Sequence, residues 1–430
     1  MVYVLDVSGN PLTPTKRHGK ARHLLETGKA VCVKRCPFTI RLTYQNAGPK
    51  PEGLSLGVDC GSKHIGLSIS SEEQEYYSSE VELRQDITAN LSTRREFRRA
   101  RRHRKTRYRK PRFLNRTASK KKGWLAPSVR QRVESHLNRI DKAVKMMPIR
   151  EIKVEVAAFD LQKLQADLKG LKRPKGEEYQ QGPQLDFWNV REYVLFRDHH
   201  ECQCCHGKSG DKVLNVHHLR SRKVGGDAPD NLITLCEYCH GQYHKGELKL
   251  PESAKKPKPL RDAVFMGIMR WTLYNRLKEI YEPQGIKVKL TYGYITKHTR
   301  IENGLEEKSH HLDALCIAGH PKAKRCEEWF LQKKVRCHNR QLHKATIQKG
   351  GVRKANQLPA VVKGFRLYDK VLFQNRECFI WGRRKTGYFA LKTLDGIMIC
   401  DGVSSKKLTL LEKRKSYLTE RRKQELCNSF

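Results

Sequence analysis

Four cysteines have the spacing of a structural metal site. Cys202 and Cys205 form one CxxC pair, and Cys236 and Cys239 form a second pair further along the chain. Each pair can present two thiolates on one side of a turn, and four thiolates complete a tetrahedral zinc site that has no open position. A closed site of this kind stabilises a fold and does not catalyse. Cys204 is a spare thiol beside the first pair and could replace a neighbour.

Three acidic residues lie in apolar elements where an unpaired carboxylate would be costly to bury. Asp59 ends an apolar run in LGVDCGSKHIGLSI, and Glu155 lies in the strand-like IKVEVAAFD. Asp313 lies near the start of the helix-like SHHLDAL, and His310 precedes it on the same helix face. A buried acid on a strand indicates either a paired partner or a bound metal, and each acid alone leaves both readings open.

Histidines gather between the two CxxC pairs and directly after them, in LNVHHLRSRKVGGDAPDNLITLCEYCHGQYH. The side chains of interest there are His217, His218, Asn231 and His240. Imidazole can take up a proton near neutral pH and can also bind a metal. Any single histidine here could equally be a zinc ligand or a surface residue. His206 and His244 lie nearby, and His244 could serve as a back-up ligand.

The charge balance indicates a polyanionic partner. Lys and Arg number 87 against 45 acidic residues, for a formal net charge of +42. Residues 94–112 alone hold ten arginines and two lysines against one glutamate, and they are predicted to form one long helix. Because arginine forks bind phosphate, a helix with arginine on every face needs phosphates on more than one side. A localisation signal or a disordered tract is the competing reading, but this run lies inside a domain.

The composition excludes several classes of protein. Hydrophobic residues make up 38% of the chain, which excludes wholesale disorder. No apolar run approaches the ~18 residues of a membrane helix, and MVYVLDVSGNPL lacks the features of a secretory signal. Fourteen cysteines in an unsecreted chain are not expected to form a disulfide framework. The class of protein that remains after these exclusions is an intracellular nucleic-acid-binding protein with two or three globular units.

The predicted elements that position these residues fall into several units. A small α/β unit comes first, and a strand–turn–strand follows at residues 54–71. A helix from Pro127 to about Met147 leads to a strand over Ile149–Ala157. Beyond the Cys/His-rich region, a helix over about 261–280 precedes the strand GIKVKLTYG and the helix SHHLDALCIAG. Short alternating strands from about residue 364 predict a small β-barrel.

The ordered set around the CxxC pairs closely resembles the HNH endonuclease motif, a ββα-metal hairpin and helix. This resemblance implies that His217 and His240 bind one Mg²⁺. It implies that His218 is the general base that activates water. Asn231 would fix the loop that aims this base.

Asp59, Glu155 and Asp313, in this order, resemble the three-part RuvC nuclease centre, which has an RNase H-like fold. The resemblance implies that the three carboxylates bind two Mg²⁺ ions about 4 Å apart. It also implies that His310 assists proton transfer, whereas His311 receives no catalytic role.

The order of these parts resembles IscB, a family of transposon-associated RNA-guided endonucleases (OMEGA effectors). The arginine-rich helix follows the first RuvC segment, and the HNH module is inserted between the second and third segments. NPLTPTKRHGKARHLLETGKA is similar to the family's PLMP domain, with Thr13 in place of methionine. The implied α/β multidomain organisation is a PLMP domain (1–52), RuvC-I (53–84), a bridge helix (85–118), RuvC-II (119–165), a linker (166–185), the HNH module (186–250), RuvC-III (251–322), a basic RNA-interacting segment (323–363) and a β-barrel-like C-terminal domain (364–430).

The resemblance implies cleavage of double-stranded DNA directed by a guide RNA, with HNH cutting the guide-paired strand and RuvC the displaced strand. The expected RNA-binding residues are Arg94, Arg95, Arg98, Arg99, Arg101, Arg102, Arg104, Arg107 and Arg109. The expected contacts to the DNA motif beside the target are Arg366, Arg376, Arg383 and Arg384. The protein is expected to be monomeric in its ribonucleoprotein, in the prokaryotic cytoplasm, and at the nucleoid when bound to DNA.

Two other functions compete with this one. A protein-only HNH endonuclease of the homing or restriction type explains the zinc module and the charge, but it leaves the second, split centre unexplained. A non-catalytic scaffold with degenerate nuclease folds is disfavoured because Asp59, Glu155, His218 and Asp313 are all present.

Overall fold

The computed structural model describes residues 1–45, 53–104, 124–156, 189–219, 231–250, 261–305, 307–336 and 358–424. Its helices are α1 (His18–Glu26), α2 (Ile87–Arg104), α3 (Pro127–Val144), α4 (Val190–Arg197), α5 (Glu237–Lys245), α6 (Arg261–Tyr281), α7 (Gly293–Glu302) and α8 (His310–Ala318). None of the helices in this described part is both long and apolar enough to span a bilayer. The chain divides into two compact units: unit 1 comprises Met1–Arg107, Arg132–Ala158 and Arg270–Phe430, and unit 2 comprises Tyr108–Gln131 and Phe159–Met269.

The strands form four sheets. They are β1 (Val2–Leu5), β2 (Pro11–Thr15), β3 (Ala30–Lys34), β4 (Thr39–Leu42), β5 (Leu54–Cys60), β6 (His64–Ser70), β7 (Glu75–Glu82), β8 (Ile149–Val156), β9 (Leu214–His218), β10 (Leu232–Cys236), β11 (Lys287–Tyr292), β12 (Glu328–Lys334), β13 (Lys370–Phe373), β14 (Arg376–Arg383), β15 (Tyr388–Lys392), β16 (Met398–Ser404), β17 (Thr409–Glu412) and β18 (Tyr417–Lys423). The first four strands form a small sheet in the order β2-β1-β4-β3, whose core includes Val2, Ile40 and Ala21 of α1. The α/β unit predicted at the N-terminus is therefore confirmed.

A seven-stranded sheet in the order β11-β8-β5-β6-β7-β12-β18 is the centre of unit 1. The hairpin partners β5, β6 and β7 are antiparallel, whereas β8 is parallel to β5 and β11 is parallel to β8. The strands β12 and β18 extend the sheet beyond β7. The segment 323–363, expected to be a basic RNA-interacting segment, contains the strand Glu328–Lys334, which pairs with β7 across a long stretch of chain.

Two glycines allow α8 to lie directly on this sheet. A Cβ atom on Gly57 of β5 would come within 1.9 Å of the Ala314 carbonyl oxygen. A Cβ atom on Gly66 of β6 would come within 1.8 Å of the His310 carbonyl oxygen. The helix can approach this closely only because both positions lack a side chain. The start of α8 is thereby held against β5 and β6.

The five strands β13 to β17 form an antiparallel sheet in the order β16-β15-β14-β13-β17. Val371, Ile380, Phe389 and Leu391 are fully buried in its core. A barrel requires the end strands β16 and β17 to pair, and they do not pair within the described residues. The structure is therefore an open sheet where the sequence predicted a barrel, because the turn at Ser405–Lys407 leads β17 to the far edge beside β13.

The arginine-rich helix begins earlier than the sequence predicted. α2 starts at Ile87 and runs to Arg104, whereas residues 105–112 of the predicted helix lie outside the described residues. The linkers expected at 166–185 and 251–259 also lie outside them. In unit 2, the hairpin β9–β10 packs with α4 and α5, and every residue of β10 is buried.

Candidate functional site

The four cysteines of the CxxC pairs converge in unit 2. The Sγ atoms of Cys202, Cys205, Cys236 and Cys239 all lie within 4.8 Å of one another, and Cys204 is outside the group. Ser209 supplies a hydroxyl 3.3 Å from the Cys205 sulfur and 3.2 Å from the Cys236 sulfur. Burial opposes ionisation of Cys205, but hydrogen bonding with Ser209 and with the neighbouring thiols lowers the pKa of Cys205 to about 6. Four cysteine sulfurs that converge in this way fit a tetrahedral zinc ion.

Removing two of these thiolates is expected to unfold the hairpin region of unit 2 and leave unit 1 folded. In the variant Cys202→Ser/Cys236→Ser, zinc should be lost because two of its four ligands are removed. The hairpin should then unfold, because binding of structural zinc contributes about 10–16 kcal/mol to the folding of small modules. Zinc content per chain and hydrogen exchange measure this, with faster exchange expected in β9 and β10 and unchanged exchange in β5 and β6. Cys204→Ser is the matched control and should keep its zinc. Unchanged exchange in β10 of the double variant would contradict the prediction.

Three imidazoles form a second group beside the cysteines. The nitrogens of His217, His240 and His244 lie within 4.8 Å of one another, and the Nε2 atoms of His240 and His244 are 3.2 Å apart. His217 is 7% exposed and its Nε2 atom has no hydrogen-bond partner. Burial and repulsion from the neighbouring imidazoles lower the pKa of His217 to about 4. Imidazole nitrogens that converge on one space fit a divalent cation.

The structure thus brings His217 and His240 together, as the HNH resemblance implies, and adds His244. The signal for His244 was its position one helical turn after His240 on α5. His218 follows His217 on β9, so successive side chains point to opposite faces of the hairpin. Leu219 donates its N–H to the Asn231 carbonyl oxygen at 2.8 Å, which closes the end of the hairpin beside His218.

A separate group lies where β5 meets α8 in unit 1. Asp59 Oδ2 is 2.5 Å from His310 Nδ1, and Asp59 is 6% exposed. Ser309 caps α8 by accepting a hydrogen bond from the Leu312 N–H, which fixes the first turn of the helix. The hydrogen bond to Asp59 raises the pKa of His310, although burial opposes this.

Glu155 and Asp313 join this group, each beside an arginine. Arg270 lies 2.9 Å from Glu155, and Arg300 lies 3.1 Å from Asp313. Val58 pairs with Val154 between the parallel strands β5 and β8, so the residues that follow, Asp59 and Glu155, are neighbours. Burial, and then the charge of Asp59, raises the pKa of both Glu155 and Asp313.

The three carboxylates therefore lie within electrostatic range of one another and repel. Their oxygens do not all lie within 4.8 Å of one another, since no such group appears among the described residues. Ligands that surround a pair of ions are expected to be spread more widely than ligands of a single ion. Hard oxygen donors that repel one another fit divalent cations such as Mg²⁺.

Arg270, Arg300 and a carboxylate–histidine group next to Asp59 were not predicted from the sequence. The donor atoms of His64, Glu80 and His310 lie within 4.8 Å of one another, and the rings of His64 and His310 stack 5.1 Å apart. Although burial opposes it, hydrogen bonds from neighbouring histidines lower the pKa of Glu80 well below its usual range. Gly66 pairs with Asp59 on one side and with Glu80 on the other, so this strand register was the missing signal.

The arginines expected to bind nucleic acid are only partly described. Arg94 and Arg95 are exposed on α2, and Arg107 and Arg109 lie outside the described residues. In α2 itself lie Arg98, Arg99, Arg101, Arg102 and Arg104. In the C-terminal sheet, Arg376 is exposed, but Arg384 pairs with Asp401 at 2.7 Å. Arg383 donates to the carbonyl oxygens of Pro359 and Ala360, which leaves fewer of its donors for DNA.

Comparison with known structures gives distant likenesses only. A Cas9 from Streptococcus thermophilus in complex with the GGAA PAM is 15% identical, with a TM-score of 0.33, over 51% of this chain and 30% of that chain. The Type II-C Cas9 from Actinomyces naeslundii is 16% identical, with a TM-score of 0.16, over 46% of this chain and 29% of that chain. This chain thus spans less than a third of the length of each of these Cas9 proteins.

Comparison with known sequences locates two segments. A protein named Anaredoxin from Nostoc sp. is 42% identical over 52 residues, which are 12% of this chain and 66% of that protein. Residues 2–182 match the family described as RRXRR protein, and residues 202–246 match the HNH endonuclease family. The match over residues 202–246 confirms the HNH prediction for this part of the chain. An arginine-rich RRXRR segment followed by an HNH endonuclease domain fits an IscB-like effector.

Proposed function

We propose that this chain is an RNA-guided DNA endonuclease with two metal-dependent centres, HNH for the guide-paired strand and RuvC for the displaced strand. The observation that carries the proposal is that one sheet is assembled around an inserted nuclease module. β8 and β11 are parallel neighbours in the sheet, yet the HNH match at residues 202–246 lies between them in the sequence. A protein-only HNH endonuclease has no need for a second acidic centre split in this way.

The order β11-β8-β5-β6-β7 supports an RNase H-like RuvC core. The three antiparallel strands β5 to β7 come first in the chain, and the two parallel strands β8 and β11 are added beyond β5. Asp59 is on the first strand, Glu155 on the fourth, and Asp313 on the helix that covers them. We therefore retain the domain boundaries expected from the sequence, with β18 as an additional strand of the core sheet.

In the RuvC centre, the carboxylates would bind metal ions and His310 would transfer protons. Divalent cations bound at the two centres would polarise the scissile phosphate and make the attacking water a stronger nucleophile at neutral pH. Asp59, Glu155 and Asp313 would hold those ions at the RuvC centre. Asp59 fixes the ring of His310 through Nδ1, which leaves Nε2 as the atom that exchanges a proton with the substrate or water. Arg270 and Arg300 would orient Glu155 and Asp313, and their charges oppose the rise in pKa that burial and Asp59 cause.

In the HNH centre, His217 and His240 would hold one cation, with His244 as a third imidazole in reach. His218 lies at the end of β9 and would accept a proton from water. Asn231 would position the loop that precedes β10, because its backbone closes the hairpin. The four cysteines would hold a structural zinc ion that keeps β10 and α5 in place.

The charge of the chain supports a guide RNA as its partner. A net charge of +42 and the arginine-rich α2 favour an extended phosphate backbone. The C-terminal sheet would contact the DNA motif beside the target, chiefly through Arg366 and Arg376. The particle would be one protein chain with one RNA, in the cytoplasm of a prokaryote and at the nucleoid when bound to DNA.

Purification under native conditions tests RNA guidance. We expect co-purified RNA, visible as excess absorbance at 260 nm that RNase removes. Sequencing that RNA allows a plasmid with the matching target to be built, and Mg²⁺ should then support its cleavage. A plasmid with a scrambled target is the control and should stay intact. Equal cleavage of both plasmids by RNase-treated protein would support the protein-only nuclease instead.

A further inference from the structure

A group of cationic side chains surrounds one tyrosine ring in unit 1. The guanidinium carbon of Arg139 lies 3.7 Å from the centre of the Tyr417 ring. The Nζ atoms of Lys334 and Lys142 lie 5.6 Å and 5.8 Å from the same centre. Arg139 and Lys142 are on α3, Lys334 is on β12, and Tyr417 begins β18. Together with Lys34 of β3, these residues are called the Tyr417 cluster.

The cationic groups of this cluster have neutral partners. Arg139 is 6% exposed and donates to the side-chain oxygens of Gln332 and Asn138, both at 2.8 Å, while its buried Nε atom has no partner. Lys334 donates to the Ser135 hydroxyl. Within the described ranges, no ion pair joins Arg139, Lys34, Lys142 or Lys334 to a carboxylate. Cations partly removed from water without a counter-charge are costly to maintain.

Two lysines close to Lys334 and Lys142 in the sequence form ion pairs with carboxylates, in contrast to the cations of the Tyr417 cluster. Lys333, next to Lys334 on β12, lies 2.7 Å from Glu82. Lys145, which directly follows the end of α3, lies 2.9 Å from Asp141. Among the described residues, the cations around Tyr417 therefore lack the ion pairs that neighbouring lysines form, so the difference is local and not a general consequence of the basic composition.

The charges in the cluster repel one another. Burial, with repulsion from Arg139, lowers the pKa of Lys142 to about 8. Burial and the charges of Arg139 and Lys142 also lower the pKa of Lys34 to about 8, against an opposing effect of Cys36. A bound anion would relieve this repulsion. The Tyr417 ring, whose face attracts cations, offsets only a small part of it.

We propose that the Tyr417 cluster is a binding site for a backbone phosphate of the guide RNA. That the bound polyanion is a guide RNA rests on the proposed function. Arg139 offers a guanidinium at the base of the site, and Lys142 is an exposed point charge at its rim. Arg84, whose charge also acts on Lys334, lies just before the start of α2. The cluster therefore adjoins the helix along which the RNA is proposed to run, which favours RNA over the target DNA.

Two double variants of the full chain test this site at equal change in charge. Lys142→Ala/Lys334→Ala removes two cations of the cluster, whereas Lys145→Ala/Lys333→Ala removes two paired lysines nearby. The probes are a fluorescein-labelled RNA hairpin of mixed sequence and a DNA duplex of the same length, titrated over a range of salt concentrations. For the RNA, the cluster variant should bind about tenfold more weakly, and its slope of log K against log salt should be shallower by about 0.7–0.9, as expected for one lost phosphate contact. The control should change affinity by less than about twofold.

Each possible result of these titrations supports or overturns the proposed phosphate site. Equal RNA slopes for the two double variants would overturn the inference while leaving RNA guidance intact. Weaker binding of DNA alone would also overturn it, because the cluster would then serve the target and not the guide. Failure of the wild-type chain to bind RNA would overturn the proposed function and this inference together. Lys142→Gln, a change at an exposed position, is a single variant that keeps the test valid should the double variant unfold.

Discussion

Replacement of Asp59 by alanine is expected to give a protein that cuts only the guide-paired strand. Asp59 is buried, holds His310 at 2.5 Å, and lies beside both Glu155 and Asp313. Its loss removes a proposed metal ligand and frees the imidazole at once. Cleavage of the displaced strand should therefore fall by more than the roughly 10²–10⁴-fold typical for loss of a general base alone. End labels specific to each strand measure the two cuts separately.

Asp141→Asn is the matched control for this experiment. Asp141 is an acid of α3 in unit 1 that pairs with Lys145 and takes no part in the proposed centre. The control should cut both strands at the wild-type rate. Asp59→Asn tests the charge alone, since the amide keeps the size of the side chain, and it should behave like the alanine variant. Cleavage of both strands by Asp59→Ala would show that the HNH centre serves both, and the RuvC proposal would fail.

Replacement of His218 by alanine is expected to give the opposite nickase, which cuts only the displaced strand. The change removes the proposed base at the end of β9 and leaves the imidazoles of His217, His240 and His244 in place. Cleavage of the guide-paired strand should fall by about 10²–10⁴-fold. Because the metal-binding imidazoles remain, the binding of metal to unit 2 should not change, and isothermal titration with Mn²⁺ can verify this.

His206→Ala provides the control for the HNH centre. His206 is an exposed histidine of the same unit and lies outside the imidazole group. This variant should keep both cuts. If His218→Ala abolished both cuts, one centre would control the other, and the two activities could not be assigned independently. A combined Asp59→Ala/His218→Ala variant should bind DNA but cut neither strand.

The residues that carry charge in apolar surroundings could be predicted from the sequence. The sequence alone identified three candidate acids, Asp59, Glu155 and Asp313, because an acid inside an apolar strand or near a helix start needs a partner. The cysteine group was visible because CxxC spacing reflects the local geometry of a turn. The four sulfurs do lie together in the structure, and the HNH match covers this part of the chain. In each case the signal lies within a short segment.

The remaining features depend on contacts between distant segments. Arg270 and Arg300 could not be selected from 87 basic residues, since only the folded chain shows which of them meets a carboxylate. Glu80 required the register of β6 against β7. The predicted barrel was wrong because alternation predicts strands but does not say which edges pair. β12 and β18 joined the core sheet for the same reason.

The order in which the strands of the core sheet occur in the chain has a consequence for protein synthesis. The partners Asp59 and His310 are separated by 251 positions, and β18 is the last strand of the sheet. On the ribosome, the proposed RuvC centre cannot assemble until α8 has emerged, whereas the residues of the HNH match are made well before that. The nascent chain therefore holds a stretch of unfinished sheet with exposed edges for most of its translation.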